Sequence, residues 1–284
     1  MIHTQLKQRD SMSSVKQRFE QSLRDFVENL KDQISYDNGQ WSIKGLIDIY
    51  KNIYTISADT KIISKILEIH IFPLLLRFAK KNGYKIVLAE HQNYYPDISF
   101  LSTNDENIRF AVDLKTTYRN PKKTHLCNGF TLGSHGTYFA NRDSTKNIQF
   151  SYNSYLGHYC LGIIYDRASS RDIDETKSYP LEQLQAISSV ISNFQFFVAE
   201  KWTIASDKSG SGNTANIGSI NNIEDIIKGQ GMFSRLGEKW FDDYWINYRK
   251  IQMQQRDGSY KLISNLHDFV VYRNGDPSLI VIKK

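Results

Sequence analysis

Three charged residues stand at a spacing that can do phosphate chemistry: Pro96-Asp97, fifteen intervening residues, then Asp113-Leu114-Lys115. Side chains alternate faces along an extended strand, so Asp113 and Lys115 point the same way, and an antiparallel partner strand would bring Asp97 back beside them. Two carboxylates and an ammonium on one patch suit a hard divalent cation such as Mg²⁺, with Mn²⁺ a natural substitute. Such a cation takes oxygen ligands, keeps several waters and accepts a phosphate oxygen. It offsets developing negative charge and acidifies a water, while Lys115 orients the nucleophile and stabilises the transition state. Glu68 sits among apolar neighbours on an upstream helix and could reach the patch as a further ligand, although an exposed helical Glu is the commoner outcome.

The elements that must position these groups are legible as patterns. Val15, Phe19, Leu23, Phe26, Val27 and Leu30 recur at three- and four-residue steps, which predicts an amphipathic helix over Met12 to Ile34. After the turn signal Asp37-Asn38-Gly39, the segment Trp41 to Ile56 reads as a hairpin or short strands. Asp59 is placed as the N-cap of a helix carrying Ile62, Ile63, Ile66 and Leu67 and ending near Lys80, Lys81 and Gly83, with Pro73 expected to kink or split it. Tyr84 to Ala89, Ile98 to Leu101 and Ile108 to Leu114 read as strands, the last two joined by the polar loop Ser102 to Asn107. Further strands are expected over Tyr159 to Tyr165 and Phe194 to Ile204, a long Gly/Ser/Asn-rich loop over Ser206 to Ile220, and helices over Ile223 to Lys228 and Glu238 to Gln254. This order predicts an α/β or α+β layout around one mixed sheet.

Composition narrows the function classes. The 284 residues carry 36 Lys+Arg against 30 Asp+Glu, a formal charge of +6, which favours a polyanionic partner only weakly. Two cysteines, Cys127 and Cys160, lie outside any zinc spacing, and the seven histidines, among them His70, His125, His135, His158 and His267, show no ligand spacing such as HExxH. A zinc module, a disulfide scaffold and a histidine-metal nuclease are therefore disfavoured. The sequence shows no signal peptide or membrane span, and a cytoplasmic setting is expected. The basic set Lys115, Arg119, Lys122, Lys123, Arg142 and Lys146 either lines a DNA backbone or forms a solvated charged face.

The same residues carry a resemblance. Asp59-Thr60-Lys61, Gln92-Asn93, Tyr95-Pro96-Asp97, Asp113-Leu114-Lys115-Thr116-Thr117-Tyr118, Phe130-Thr131-Leu132-Gly133, Thr145-Lys146-Asn147-Ile148 and the run from Gly210 to Ile220 resemble the EcoRV-like type II restriction endonucleases of the PD-(D/E)xK nuclease superfamily. The resemblance covers roughly residues 40 to 250. It implies a restriction-endonuclease-like fold, a mixed central β-sheet flanked by helices, and a U-shaped homodimer that clamps a palindromic site. Each chain would be a single endonuclease domain, with a helical extension over about 1–35 and a dimerisation region over about 36–56 and parts of 150–200.

Carried over residue by residue, the resemblance makes Asp97 and Asp113 metal-binding carboxylates, Lys115 the catalytic lysine and Glu68 an accessory acid. DNA contacts fall to Lys61, Gln92, Asn93, Tyr95 and Thr116, and to a major-groove loop of Gly210, Ser211, Gly212, Asn213 and Thr214. The implied activity is Mg²⁺-dependent double-strand cleavage of GATATC to blunt ends with 5′-phosphates, alongside a methyltransferase in the same cell. His91 in place of Gln and Ala215 in place of Thr depart from the family pattern and bear on that target. The alternatives are a nuclease of the same superfamily in repair or element mobility, with other or no sequence preference, and a non-catalytic sequence-specific DNA-binding protein.

Overall fold

A computed structural model describes residues 2–91, 93–169, 173–210, 215–254 and 258–281. Its centre is a mixed sheet built from β1 (Tyr84–Leu88), β2 (Ile98–Ser102), β3 (Arg109–Asn120), β5 (Gly157–Arg167) and β6 (Ile191–Glu200). In space β1, β2 and β3 form an antiparallel run, β3 and β5 are parallel, and β6 returns antiparallel to β5, followed by the short Gln40–Trp41 and Ser35–Tyr36 strands at the edge. A small sheet, β4 (Thr131–Ser134) with β7 (Ala205–Ser209) and β8 (Asn216–Ser219), stands apart from the main one.

The period-two alternation of β3 divides two cores. Phe110 and Val112 face one side with Tyr159, Leu161 and Ile163 of β5, under helices α1 (Ile2–Glu28) and α2 (Thr60–Lys81). Ala111 faces the other side with Cys160, Ile164, Phe197 and Ala199, under α3 (Glu238–Ile246) and α4 (Leu266–Tyr272). Asp113 and Lys115 share the parity of Ala111, so the sheet delivers them to the second side.

Helix α1 is an integral part of the first layer. Phe19, 1% exposed, stacks on Phe110 with ring centroids 4.0 Å apart and 7° between planes, and it touches Phe78, Tyr84, Phe100 and Tyr159. At the start of α2, Asp59 accepts hydrogen bonds from the backbone N–H groups of Lys61 (2.8 Å) and Ile62 (3.2 Å), a side-chain cap that fixes where Lys61 emerges.

Four expectations need correction. Helix α2 is not split at Pro73: it is one helix from Thr60 to Lys81, and the carbonyl that loses its partner belongs to Ile69, a residue 62% exposed. The strand expected over Phe194 to Ile204 stops at Glu200, where the chain turns into a short helix, Lys201–Ile204. The loop expected over Ser206 to Ile220 is framed by paired strands β7 and β8, with Gly210 N–H donating to Asn216 O at 2.8 Å. The helix expected to reach Gln254 ends at Ile246, and Gln252–Gln254 pairs with Tyr260–Leu262 as a hairpin.

Because Phe19 joins α1 to the strand that bears Asp113, Phe19→Ala should cost about 3–5 kcal/mol of folding stability. Urea unfolding of the two proteins checks this.

Candidate active site

The site forms where β2 begins. Its first residue, Ile98, pairs with Val112, so among the described residues the neighbouring edge of β3 is left without a strand from Asp113 until Lys123–Cys127 pairs with it at Arg119. Asp97, the residue before β2, fills that gap: its Oδ2 accepts the Leu114 N–H at 2.9 Å, a ladder bond made by a side chain, and its own N–H donates to Asp113 Oδ1 at 3.2 Å. The two carboxylates are thus locked together by backbone donors. Lys115 Nζ lies 3.4 Å from Asp97 Oδ2 and 3.3 Å from Asp113 Oδ2.

A fourth member comes from far along the chain. Lys201, at the end of β6, places Nζ 3.1 Å from Asp113 Oδ2 and 3.6 Å from the centre of the Tyr95 ring. Sequence reading missed it. The signal available was the charged pair Glu200-Lys201 between two largely apolar runs, Phe196 to Ala199 and Trp202 to Ala205, which marks charges in need of partners.

Electrostatics separate the roles. Burial alone would raise the Asp113 carboxyl, but Lys115, Lys201 and the Asp97 N–H hold it down at about 2. Asp97 is raised by partial burial and by the like charge of Asp113, against the pull of Lys115. Burial works to lower Lys115, yet Asp113 and Asp97 overcome it and raise the group. Lys201 is lowered by burial and by Lys115, with Asp113 opposing. Asp113 is therefore a permanent anion and Lys115 a permanent cation near neutral pH.

The group opens into a cleft of about 1140 Å³, lined by Lys61, Lys65, Glu68, Asp97, Lys115, Thr116 and Arg167 among others. Glu68 lies on this wall, paired with Lys65 at 2.9 Å. Among the described residues no set of three or more His, Cys, Asp or Glu converges as a metal cluster, so Asp97 and Asp113 stand as the carboxylate pair and Glu68 is not drawn into their contact. Lys61 and Asn93 are exposed, and Thr116 is half-buried on β3.

Tyr95, expected to touch DNA, is 5% exposed: it stacks on Tyr138 at 5.1 Å and its hydroxyl pairs with His158 Nδ1 at 2.8 Å, which makes it scaffold behind the site. Two of the basic residues offered to a DNA backbone are likewise spent internally. Arg119 binds Asp166, Gln195 and the Asn193 carbonyl, and Arg142 binds Asp242. Gly210 directly follows β7, whereas Gln92, Ser211, Gly212, Asn213 and Thr214 lie outside the described residues.

The family described as restriction endonuclease EcoRV matches residues 37–274. The type II restriction enzyme EcoRV of Escherichia coli is 34% identical over 251 residues, 88% of this chain and 98% of its own length. The chain belongs to the EcoRV restriction endonuclease family. It is by family a type II site-specific deoxyribonuclease, built on a mixed α/β sheet. The NlaIV restriction endonuclease structure aligns over 78% of this chain and 84% of its own, at 13% identity and a TM-score of 0.38. No helix among the described residues is long and apolar enough to cross a membrane.

The depressed Asp113 carboxyl carries a pH signature. Its folded value, about 2, lies below the roughly 3.9 of an unfolded aspartate, so its ion pairs stabilise the fold fully above that value and are lost as pH falls toward the folded one. Asp113→Asn should therefore be less stable than wild type at neutral pH, with the gap narrowing from about pH 4 downward. Denaturant unfolding across this range measures it.

Proposed function

We propose that this member of the EcoRV family is a Mg²⁺-dependent homodimer that cuts both strands of GATATC to blunt ends with 5′-phosphates. The observation that carries the reading is the convergence of Asp97, Asp113 and Lys115, with Nζ within 3.4 Å of both carboxylates, on the wall of an open cleft. The donor set fits a hard cation. Asp97 Oδ1 has no protein partner among the described residues, its side chain is 40% exposed, and two carboxylates leave room for the waters that Mg²⁺ retains. Asp97 and Asp113 would hold the cation, with Glu68 available from the cleft wall. When bound, it supplies charge stabilisation at the phosphate and a more acidic water.

The chain's own residues do the rest. Lys115, held between the carboxylates, donates to the attacking water or to a phosphate oxygen, and as a fixed cation it stabilises the charge that develops on phosphorus substituents. The water oxygen bonds to phosphorus and gives up a proton to solvent as the bond to the 3′-oxygen breaks and that oxygen takes up a proton, which leaves a 3′-hydroxyl and the phosphate on the 5′ side. Lys61, Thr116 and Arg167 line the cleft along which the backbone would run. Gln92 and Asn93, and the run from Gly210 to Thr214, are the residues whose side chains and backbone would contact the grooves and read base edges. Mn²⁺ would serve in place of Mg²⁺, and a methyltransferase acting on the same site would protect the host DNA.

The proposed palindromic target and one observation favour the dimer. A palindromic site matches a two-fold protein. The sheet formed by Gly45–Ile47, Asn52–Thr55 and Ser178–Pro180 leaves large apolar side chains in water: Leu46 59%, Ile47 58%, Ile49 88%, Tyr50 78% and Tyr54 48% exposed. An apolar patch of this kind marks an interface, and it lies within the segment expected to dimerise. Ile49→Asp should shift the protein to monomer in sedimentation and abolish paired cutting.

Digestion of a plasmid carrying a single GATATC site, with Mg²⁺ and end-sequencing of the products, tests the whole reading. One blunt cut in that site is expected, lost in Asp113→Ala and slowed by about 10²–10³-fold or more in Lys115→Ala. Metal-dependent cuts elsewhere would discard the target, and binding without cutting would replace the enzyme with a DNA-binding protein.

A further inference from the structure

Lys201 stands in a built slot. Its side chain is 5% exposed and its ion-pair partner, Asp113, 4%. The ammonium rests 3.6 Å from the Tyr95 ring centre, and Gly133, at φ +97°, leaves the space it occupies: a Cβ there would stand 3.3 Å from Nζ. A buried ammonium is costly unless paired, and among the described residues Asp113 is the only carboxylate that Lys201 meets. Both lysines share the same oxygen, Asp113 Oδ2, while Oδ1 accepts the Asp97 N–H.

Two carboxylates and two ammonium groups therefore balance before any cation arrives. Lys115 is 24% exposed and can turn toward a phosphate; Lys201 is enclosed and cannot leave. We infer that Lys201 is a positioning residue that fixes the Asp113 carboxylate and, as a positive charge behind it, weakens cation binding until DNA phosphate supplies compensating negative charge. The inference rests on the reading that Asp97 and Asp113 are the cation's ligands. Its consequence is a centre held in readiness, with metal capture tied to the presence of substrate by a charge on the far side of the ligand.

The test is Mn²⁺ binding to the full-length protein without DNA, followed by the electron paramagnetic resonance of free Mn²⁺. Lys201→Met should bind Mn²⁺ about ten-fold more tightly than wild type, since a like charge close to the cation is gone. Lys201→Arg, which keeps the charge, should stay near wild type. If the methionine variant fails to fold, Lys201→Gln, which retains a donor toward Asp113, makes the same comparison. Equal or weaker binding in the uncharged variants overturns the inference, and a merely structural Lys201 would give that result with a lowered melting temperature. Binding that persists in Asp113→Ala would instead overturn the two-carboxylate reading, and this inference with it.

Discussion

A carboxylate buried to 3% exposure inside a sheet is the constraint around which this molecule is arranged. Ionised, Asp113 is tolerable there only because two ammonium groups and a backbone N–H meet it. Each partner imposes a demand on the fold. Lys115 requires β3 to continue as a strand past Asp113, so that both side chains share a face. Lys201 requires β6 to end at Glu200 and the chain to turn inward there. Asp97 requires β2 to begin at Ile98, leaving the β3 edge open for its side chain and its N–H.

The layers outside the site follow from the same need for rigidity. One face of β3 is sealed by Phe110 and Val112 against α1 and α2, and the other by Ala111, with Tyr95, Tyr138, Tyr152 and His158 stacked beneath the charged group. Closely packed aromatic rings admit little displacement, so the carboxylates and ammonium groups are held at fixed separations from two sides. What stays open is the cleft, where the exposed part of Asp97, the tip of Lys115 and the wall residues can meet a phosphate.

The sequence made much of this legible because local rules apply to it. Period-two alternation through Phe110 to Lys115 and the short polar turn after Ser102 predict that Asp97, Asp113 and Lys115 converge, and their observed separations agree. Apolar spacing at Phe19 and Leu23 predicts α1, and Asp59 predicts the start of α2. Lys201 was hidden because its partner lies in another strand far along the chain, and only a tertiary contact brings the two together. Tyr95 was misplaced for a related reason: its polar neighbours His91 to Tyr94 suggest a surface loop, whereas the ring turns inward between Tyr138 and His158. Pattern also overran at Glu238 to Gln254, where the helix yields to Asn247 and to Arg249 at φ 55°, a conformation no helix continues through.

On the proposed reading, Asp97 and Asp113 would together hold the cation at the phosphate to be cut. A crystal structure of the protein with a GATATC duplex and Ca²⁺, in place of the cation that supports cleavage, tests it most directly. The expected result is Ca²⁺ bound by oxygens of both aspartates and of one phosphate, with Lys115 Nζ within hydrogen-bond reach of that phosphate and Lys201 still on Asp113. A cation held elsewhere in the cleft, or a phosphate seated without either aspartate's cation, would contradict it.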